Sequence, residues 1–276
     1  QIIRILMIKK FFFTITTIFI VLIFVAYSLE FFLALWNHSS IKKDKFTSQE
    51  MSRYSIYLKE KKTNQNVVLT IAPTTFLNEK NTKIFPMAGL PNALTINCNE
   101  LGFWSRYNSD KFGFNNPNDE WEKKKYKYLL IGDSYLHGDC VNFPDDIGSQ
   151  LRTNLQKNLS EQDKGVLNLA YQGNGPLIQN AVLREYFPDE KVENILIFFA
   201  NANDIQDFFN EIKHPILRRY LDDKNFSQNL KMKPTLIKKI LKEKFQKEIE
   251  RETDDRLVRF NEISIKRMLT FSNLKH

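Results

Sequence analysis

Residues Lys127–Val141 read KYLLIGDSYLHGDCV. An apolar run, Tyr128–Ile131, stops at Gly132-Asp133-Ser134, and a polar stretch with a second glycine, Gly138, follows. A short apolar run bounded by turn residues is the pattern of a buried strand. This strand would end by presenting a serine. Beyond it come a helix-compatible stretch (Asp146–Leu159), the strand-like VLNLA (Val166–Ala170), a second helix (Pro176–Tyr186), the strand-like NILIFFA (Asn194–Ala200) and a third helix (Ile205–Leu221). Alternation at this spacing predicts an α/β domain, a parallel sheet with helices on both faces in three layers.

In an open α/β sheet, ligands bind beyond the carboxyl ends of the strands. Three loops leave that edge: Gly132–Ser134, Ala170–Gly175 and Asn201–Asp204. The first offers a hydroxyl, the second backbone N–H groups that a ligand can approach closely, and the third the carboxamide of Asn203. A nucleophile and an oxyanion hole need those parts. Each loop alone is also ordinary turn chemistry, since Gly, Asp, Asn and Ser are what such loops use.

As a set, IGDSYLHG, NLAYQGNG and ANAND resemble three blocks of the SGNH, or GDSL-type, hydrolase superfamily, over about residues 127–221. The resemblance implies a flavodoxin-like αβα sheet. It also implies Ser134 as nucleophile and backbone donor, Gly173 as a second backbone donor and Asn203 as side-chain donor, with Gly132, Asp133 and Asp204 in support. Asn201 stands where the superfamily has a glycine. The segment CNELGFWSRYNSDKFGFNNPNDEW, Cys98–Trp121, is similar to the lead-in of membrane-anchored bacterial members. The chemistry implied is hydrolysis of an acyl ester, with O-acyl groups of an envelope polysaccharide as a substrate class. Transfer of the acyl group to a sugar and a catalytically silent glycan-binding module are the alternatives. No cofactor is implied, and neither a Cys-x-x-Cys nor a paired-His spacing suggests a metal.

A serine hydroxyl needs a base. The superfamily's fourth block, Asp-x-x-His, is absent from the chain. Of the four histidines, His38 abuts the apolar N-terminal run, His137 follows Ser134 by three residues, and His214 lies ten residues beyond Asp204. Asn273-Leu274-Lys275-His276 imitates the block with Asn for Asp. The expectation is an incomplete sheet in a truncated reading frame, with the catalytic His and Asp unassigned.

From Phe11 to Leu29 no charge occurs, and FFLALW extends the run past Glu30 to Trp36. At ~1.5 Å per residue this crosses a hydrocarbon core of ~30 Å, and it exceeds a signal-peptide core. The expected layout is a cytoplasmic 1–10, an anchor at 11–36, a stalk at 37–65, a lead-in with a hairpin at 66–125, the α/β core at 126–223 and a basic amphipathic helix at 224–276. Met7-Ile8-Lys9-Lys10 reads as a natural start. The net charge of +8 sits at the ends, and residues 46–223 carry −3, which argues against a nucleic-acid groove there. Cys98 and Cys140, the only cysteines, are expected outside the cytoplasm and disulfide-bonded. Lys9 and Lys10 favour an inside N-terminus, so a reporter fused after Leu221 is expected to be active only outside the cytoplasm. Cytoplasmic activity of that fusion would overturn the orientation.

Overall fold

The computed structural model describes residues 2–42, 53–79, 81–100, 103–200 and 203–262. The chain forms two compact units, residues 1–46 with 250–276, and residues 47–249.

In the first unit, α1 (Ile2–Lys42) is a single helix. Its stretch Lys9–Leu33, of 25 residues and mean hydropathy 2.4, is long and apolar enough to cross a bilayer. The hydroxyls of Thr14, Thr16 and Thr17 donate to the carbonyls of Lys10, Phe12 and Phe13, so these polar groups are satisfied within the helix itself.

The second unit is mixed α/β and begins earlier than the expected stalk boundary. Helix α2 (Arg53–Lys61) buries Ile56 and Tyr57 against Val67, Leu69 and Ile96, so the visible part of that stretch is packed into the domain. The short strands β1 (Val67–Leu69), β2 (Leu94–Ile96) and β3 (Arg106–Asn108) make a small sheet. The expected hairpin is β2–β3, antiparallel with Thr95 opposite Tyr107, and β1 adds to β2 in parallel. The turn residues Leu101 and Gly102 lie outside the described residues.

The main sheet holds β4 (Lys125–Ile131), β5 (Gly165–Asn168) and β6 (Lys191–Ile197) in the order β5-β4-β6, all parallel. Helices α3 (Ser134–His137), α4 (Ile147–Gln156), α5 (Pro176–Tyr186), α6 (Asp204–Glu211), α7 (Pro215–Asp222) and α8 (Pro234–Glu262) complete the chain. Alternate residues of β4 serve opposite cores, as a strand's period of two requires. Leu129 and Ile131 join α5's Ile178, Ala181 and Val182, and Leu130 joins Leu136 and Leu155.

One expectation needs correction, and two elements are more exposed than their composition suggests. The helix expected over Ile205–Leu221 is two helices, because Pro215 has no N–H to donate into the preceding turn and starts α7 instead. The strand-like NILIFFA supplies most of β6, which is a sheet edge among the described residues, with Ile195, Ile197 and Phe199 43%, 63% and 57% exposed. Of the apolar face expected on the basic helix, Ile237 and Leu241 are buried while Leu236 is exposed.

The opposite edge, β5, is closed by side chains. Glu120 Oε1 accepts from Val166 N at 2.6 Å, and Arg152 Nε donates to Val166 O at 3.1 Å. Asn116 accepts from Asn168 N at 2.8 Å and donates to Asn168 O at 2.8 Å. Arg152 also reaches Asn116 Oδ1 at 2.5 Å and lies 3.6 Å from Glu120. Truncating one partner of a buried charged network strands the others. Arg152→Ala is therefore expected to cost about 3–5 kcal/mol, read from the shift of the urea midpoint. A loss below ~1 kcal/mol would mean that the β5 edge does not depend on it.

Candidate active site

The first loop starts where β4 ends. A Cβ on Gly132 would lie 3.2 Å from both Leu136 and Phe198, so the chain passes between them without a side chain. Asp133 then caps α3, its carboxylate accepting from Tyr135 N at 3.1 Å. Gly138 ends that single turn at φ 87°, in the left-handed region. Gly-Asp-Ser-x-x-x-Gly is thus a complete helical turn with both caps. It exposes Ser134's neighbour Tyr135 (77%) and buries Leu136 and His137.

The second loop turns at Tyr171–Asn174, where Asn174 N donates to Tyr171 O at 3.1 Å. Gly173 sits at φ 74°, a conformation that a side chain would strain. The third loop leaves β6, whose continuation Phe198 N donates to Ile131 O at 2.8 Å. Asp204 is fully buried, and its carboxylate accepts from Ala200 N at 2.7 Å. The side-chain amide of Asn203 donates to Asp207 Oδ2 at 2.9 Å. Asn201 and Ala202 lie outside the described residues.

Ser134, Gly173 and Asn203 line one crevice of about 410 Å³ with Asp133, Asp139 and Glu100. Its described lining holds three carboxylates and no lysine or arginine. Burial raises the carboxyl of Asp133 against the Tyr135 N–H that holds the charged form, and burial likewise raises that of Asp204. An acidic, partly desolvated wall disfavours an anionic ligand.

The small sheet supplies the other wall. Cys98 and Cys140 lie at disulfide distance, Cα to Cα 4.7 Å, and both border the crevice. Asn97 donates to Asp139 Oδ1 at 2.5 Å and accepts from Thr70 Oγ1 at 2.8 Å. Ligand atoms of Cys98, Glu100 and Cys140 lie within 4.8 Å of one another. With the two sulfurs bonded to each other, only the carboxylate remains to ligate, so the cluster would suit a metal only after reduction.

None of the placed histidine rings serves Ser134. His137 is fully buried, its Nδ1 2.8 Å from Asp139 Oδ1 and its ring 5.0 and 4.5 Å from those of Tyr107 and Tyr171. His214 is buried 4.9 Å from the ring of Phe85. Asn273–His276 lies outside the described residues, and nothing is described of the His38 ring.

Sequence reasoning missed Asp139, Asn97, Asp207 and Glu211. Only the last two left a signal, a four-residue step from Asn203 along one helix. Glu211 is buried, with Oε1 accepting from Gly175 N at 2.7 Å and Oε2 from Leu177 N at 2.9 Å. Comparison with family models, with curated proteins and with solved structures finds no match for this chain.

Burial pushes the Glu211 carboxyl from 4.5 up to about 7, against the N–H donors of Leu177, Ile178 and Gly175. Between those values the folded chain holds a proton that the unfolded chain has released. The stability this contributes is full below pH 4.5 and is lost as pH rises through about 7. Glu211→Gln does not titrate and is expected to flatten the thermal midpoint across that window. An unchanged slope in the variant would show that another group carries it.

Proposed function

We propose that the chain is a membrane-anchored acyl-ester hydrolase of the SGNH type, with Ser134 as nucleophile and with Gly173 and Asn203 stabilising the oxyanion. The observation that carries this reading is the meeting of Ser134, Gly173 and Asn203 at one crevice beyond the carboxyl ends of β4 and β5 and past β6. Attack of the Ser134 oxygen on the ester carbonyl, its proton passing to solvent water, forms a tetrahedral oxyanion, whose collapse expels the alcohol and leaves an acyl-serine for water to hydrolyse. Donors aimed at that charge lower the barrier, and each is worth about 10² to 10³ in kcat. The carboxylate-rich wall supports a neutral acyl ester, such as an O-acyl sugar, over a phosphate ester. The apolar helix supports attachment to a membrane, and the cysteine pair supports an oxidising, extracytoplasmic compartment.

A second reading, a silent glycan-binding module, draws on the histidines: none lines the crevice among the described residues. Without a base the serine stays protonated, and turnover falls to the remnant left by binding and oxyanion stabilisation, about 10³ to 10⁴ over water.

The test is hydrolysis of an activated acyl ester by the purified full chain. Asn203→Ala is expected to lower kcat about 10²- to 10³-fold with a smaller change in KM. An unchanged kcat would remove Asn203 from the mechanism, and the absence of any turnover above the uncatalysed rate would leave the binding module. Ser134→Ala separates the two sources of rate. A weak effect marks turnover without an activated serine, and abolition of robust turnover marks a base already present in the chain.

A further inference from the structure

Asn203, Asp207 and Glu211 follow one another at four-residue steps, so they form one stripe along α6. The stripe faces the second loop of the crevice. A Cβ on Gly175 would lie 2.6 Å from Asp207 Cβ and 2.7 Å from Glu211 Oε1, so the loop and the helix meet at a distance that only glycine permits.

We propose that Asp207 and Glu211 are positioning residues for the Ser134 crevice, Asp207 by orienting the amide of Asn203 and Glu211 by holding the Gly173–Gly175 loop against α6. The inference rests on the reading of Asn203 and Gly173 as oxyanion donors. A carboxamide is nearly symmetric in shape, and half a turn about its last torsion exchanges a donor for an acceptor. A carboxylate only accepts. With Asp207 Oδ2 at 2.9 Å, the nitrogen of Asn203 is fixed on that side, and this bond uses only one of its two N–H groups. Freed of Asp207, the amide can present its own oxygen to the oxyanion, which repels it.

Glu211 acts on the other donor. One carboxylate takes the N–H of Gly175 at 2.7 Å and those of Leu177 and Ile178 at 2.9 and 3.4 Å. It therefore joins the loop carrying Gly173, the start of α5 and the end of α6 in a single contact. The two donors come from different strands, and this stripe is what fixes the spacing between them.

The experiment uses the full chain and an activated acyl ester, with a thermal midpoint recorded for each variant. Asp207 is only half-buried, so Asp207→Ala is expected to fold. It should lower kcat about 10- to 100-fold with little change in KM. Asp207→Asn, which can still accept through its carbonyl, should recover most of that loss. In the Asn203→Ala background, Asp207→Ala should cost nothing further, because the amide it orients is gone. Glu211→Gln, which places a donor against an N–H, should lower kcat while the protein stays folded. Full additivity of Asp207→Ala with Asn203→Ala, or an unchanged kcat in Asp207→Ala, overturns the role of Asp207. An unchanged kcat in folded Glu211→Gln overturns that of Glu211. If Asn203→Ala alone has no effect, the oxyanion reading has failed and the positioning roles fall with it.

Discussion

The outer edge of β5 is closed by side chains rather than by a strand, and the placement of the crevice follows from that. Val166 and Asn168 turn their backbone N–H and C=O groups away from β4, and Glu120, Arg152 and Asn116 satisfy all four. Unpaired, those groups would each carry a desolvation cost and would template another strand. The side chains come from two sources, the loop before β4 and helix α4, so closing the edge also locks both onto the sheet. The burial of Asp110 extends the lock, since its carboxylate accepts from Asn116 at 2.9 Å and from Trp121 at 2.7 Å. With β5 and β4 fixed in register, Gly132 and Tyr171 leave the sheet side by side, Tyr171 N donating to Gly132 O at 3.3 Å.

The sheet has a different solution at each end. At β5 polar side chains stand in for a strand, whereas at β6 Ile195, Ile197 and Phe199 remain exposed, as do Ile205 and Phe209 of α6. A strand with this composition is suited to burial on both faces, the usual state of a parallel sheet. The third loop of the crevice hangs from that less supported strand. The contacts from α6 to the second loop, Glu211 with Gly175 and Leu177, tie that loop to the helix that Asn203 opens.

Local patterns were legible in the sequence to the extent that they set local structure. The apolar run at 128–131, the Gly-Asp-Ser turn and the proline opening α5 each imply an element by themselves, and each element is present. The break between α6 and α7 also carried a local signal, Pro215, which the reading of Ile205–Leu221 as one helix passed over. What could not be read, the cysteine pair apart, was polar side-chain pairing at long separation. Asn116 with Asn168, Asn97 with Asp139 and Gly175 with Glu211 are 52, 42 and 36 residues apart, and a polar residue in a loop gives no sign of its partner. The wall that the small sheet contributes to the crevice is built from such pairs. Of the candidate site, the three loops that meet at the crevice were therefore visible in advance, and the residues that hold them in place were not.

His137 and Asp139 show how far residue types fall short of machinery. A histidine and an aspartate lie three and five residues after Ser134 and are hydrogen-bonded at 2.8 Å, the pairing by which a carboxylate orients a catalytic imidazole. Position in α3 decides otherwise. Ser134 and Tyr135 line the crevice, whereas Leu136 and His137 of the same turn are fully buried. The imidazole is then held between Tyr107 and Tyr171, and its Nε2 meets no hydrogen-bond partner among the described residues. Asp139 is tied to Asn97 on the far wall. Through Asp139 the pair joins the loop after α3 to Asn97 beside the small sheet, so the contact that would orient a catalytic ring is spent on holding two walls of the crevice together.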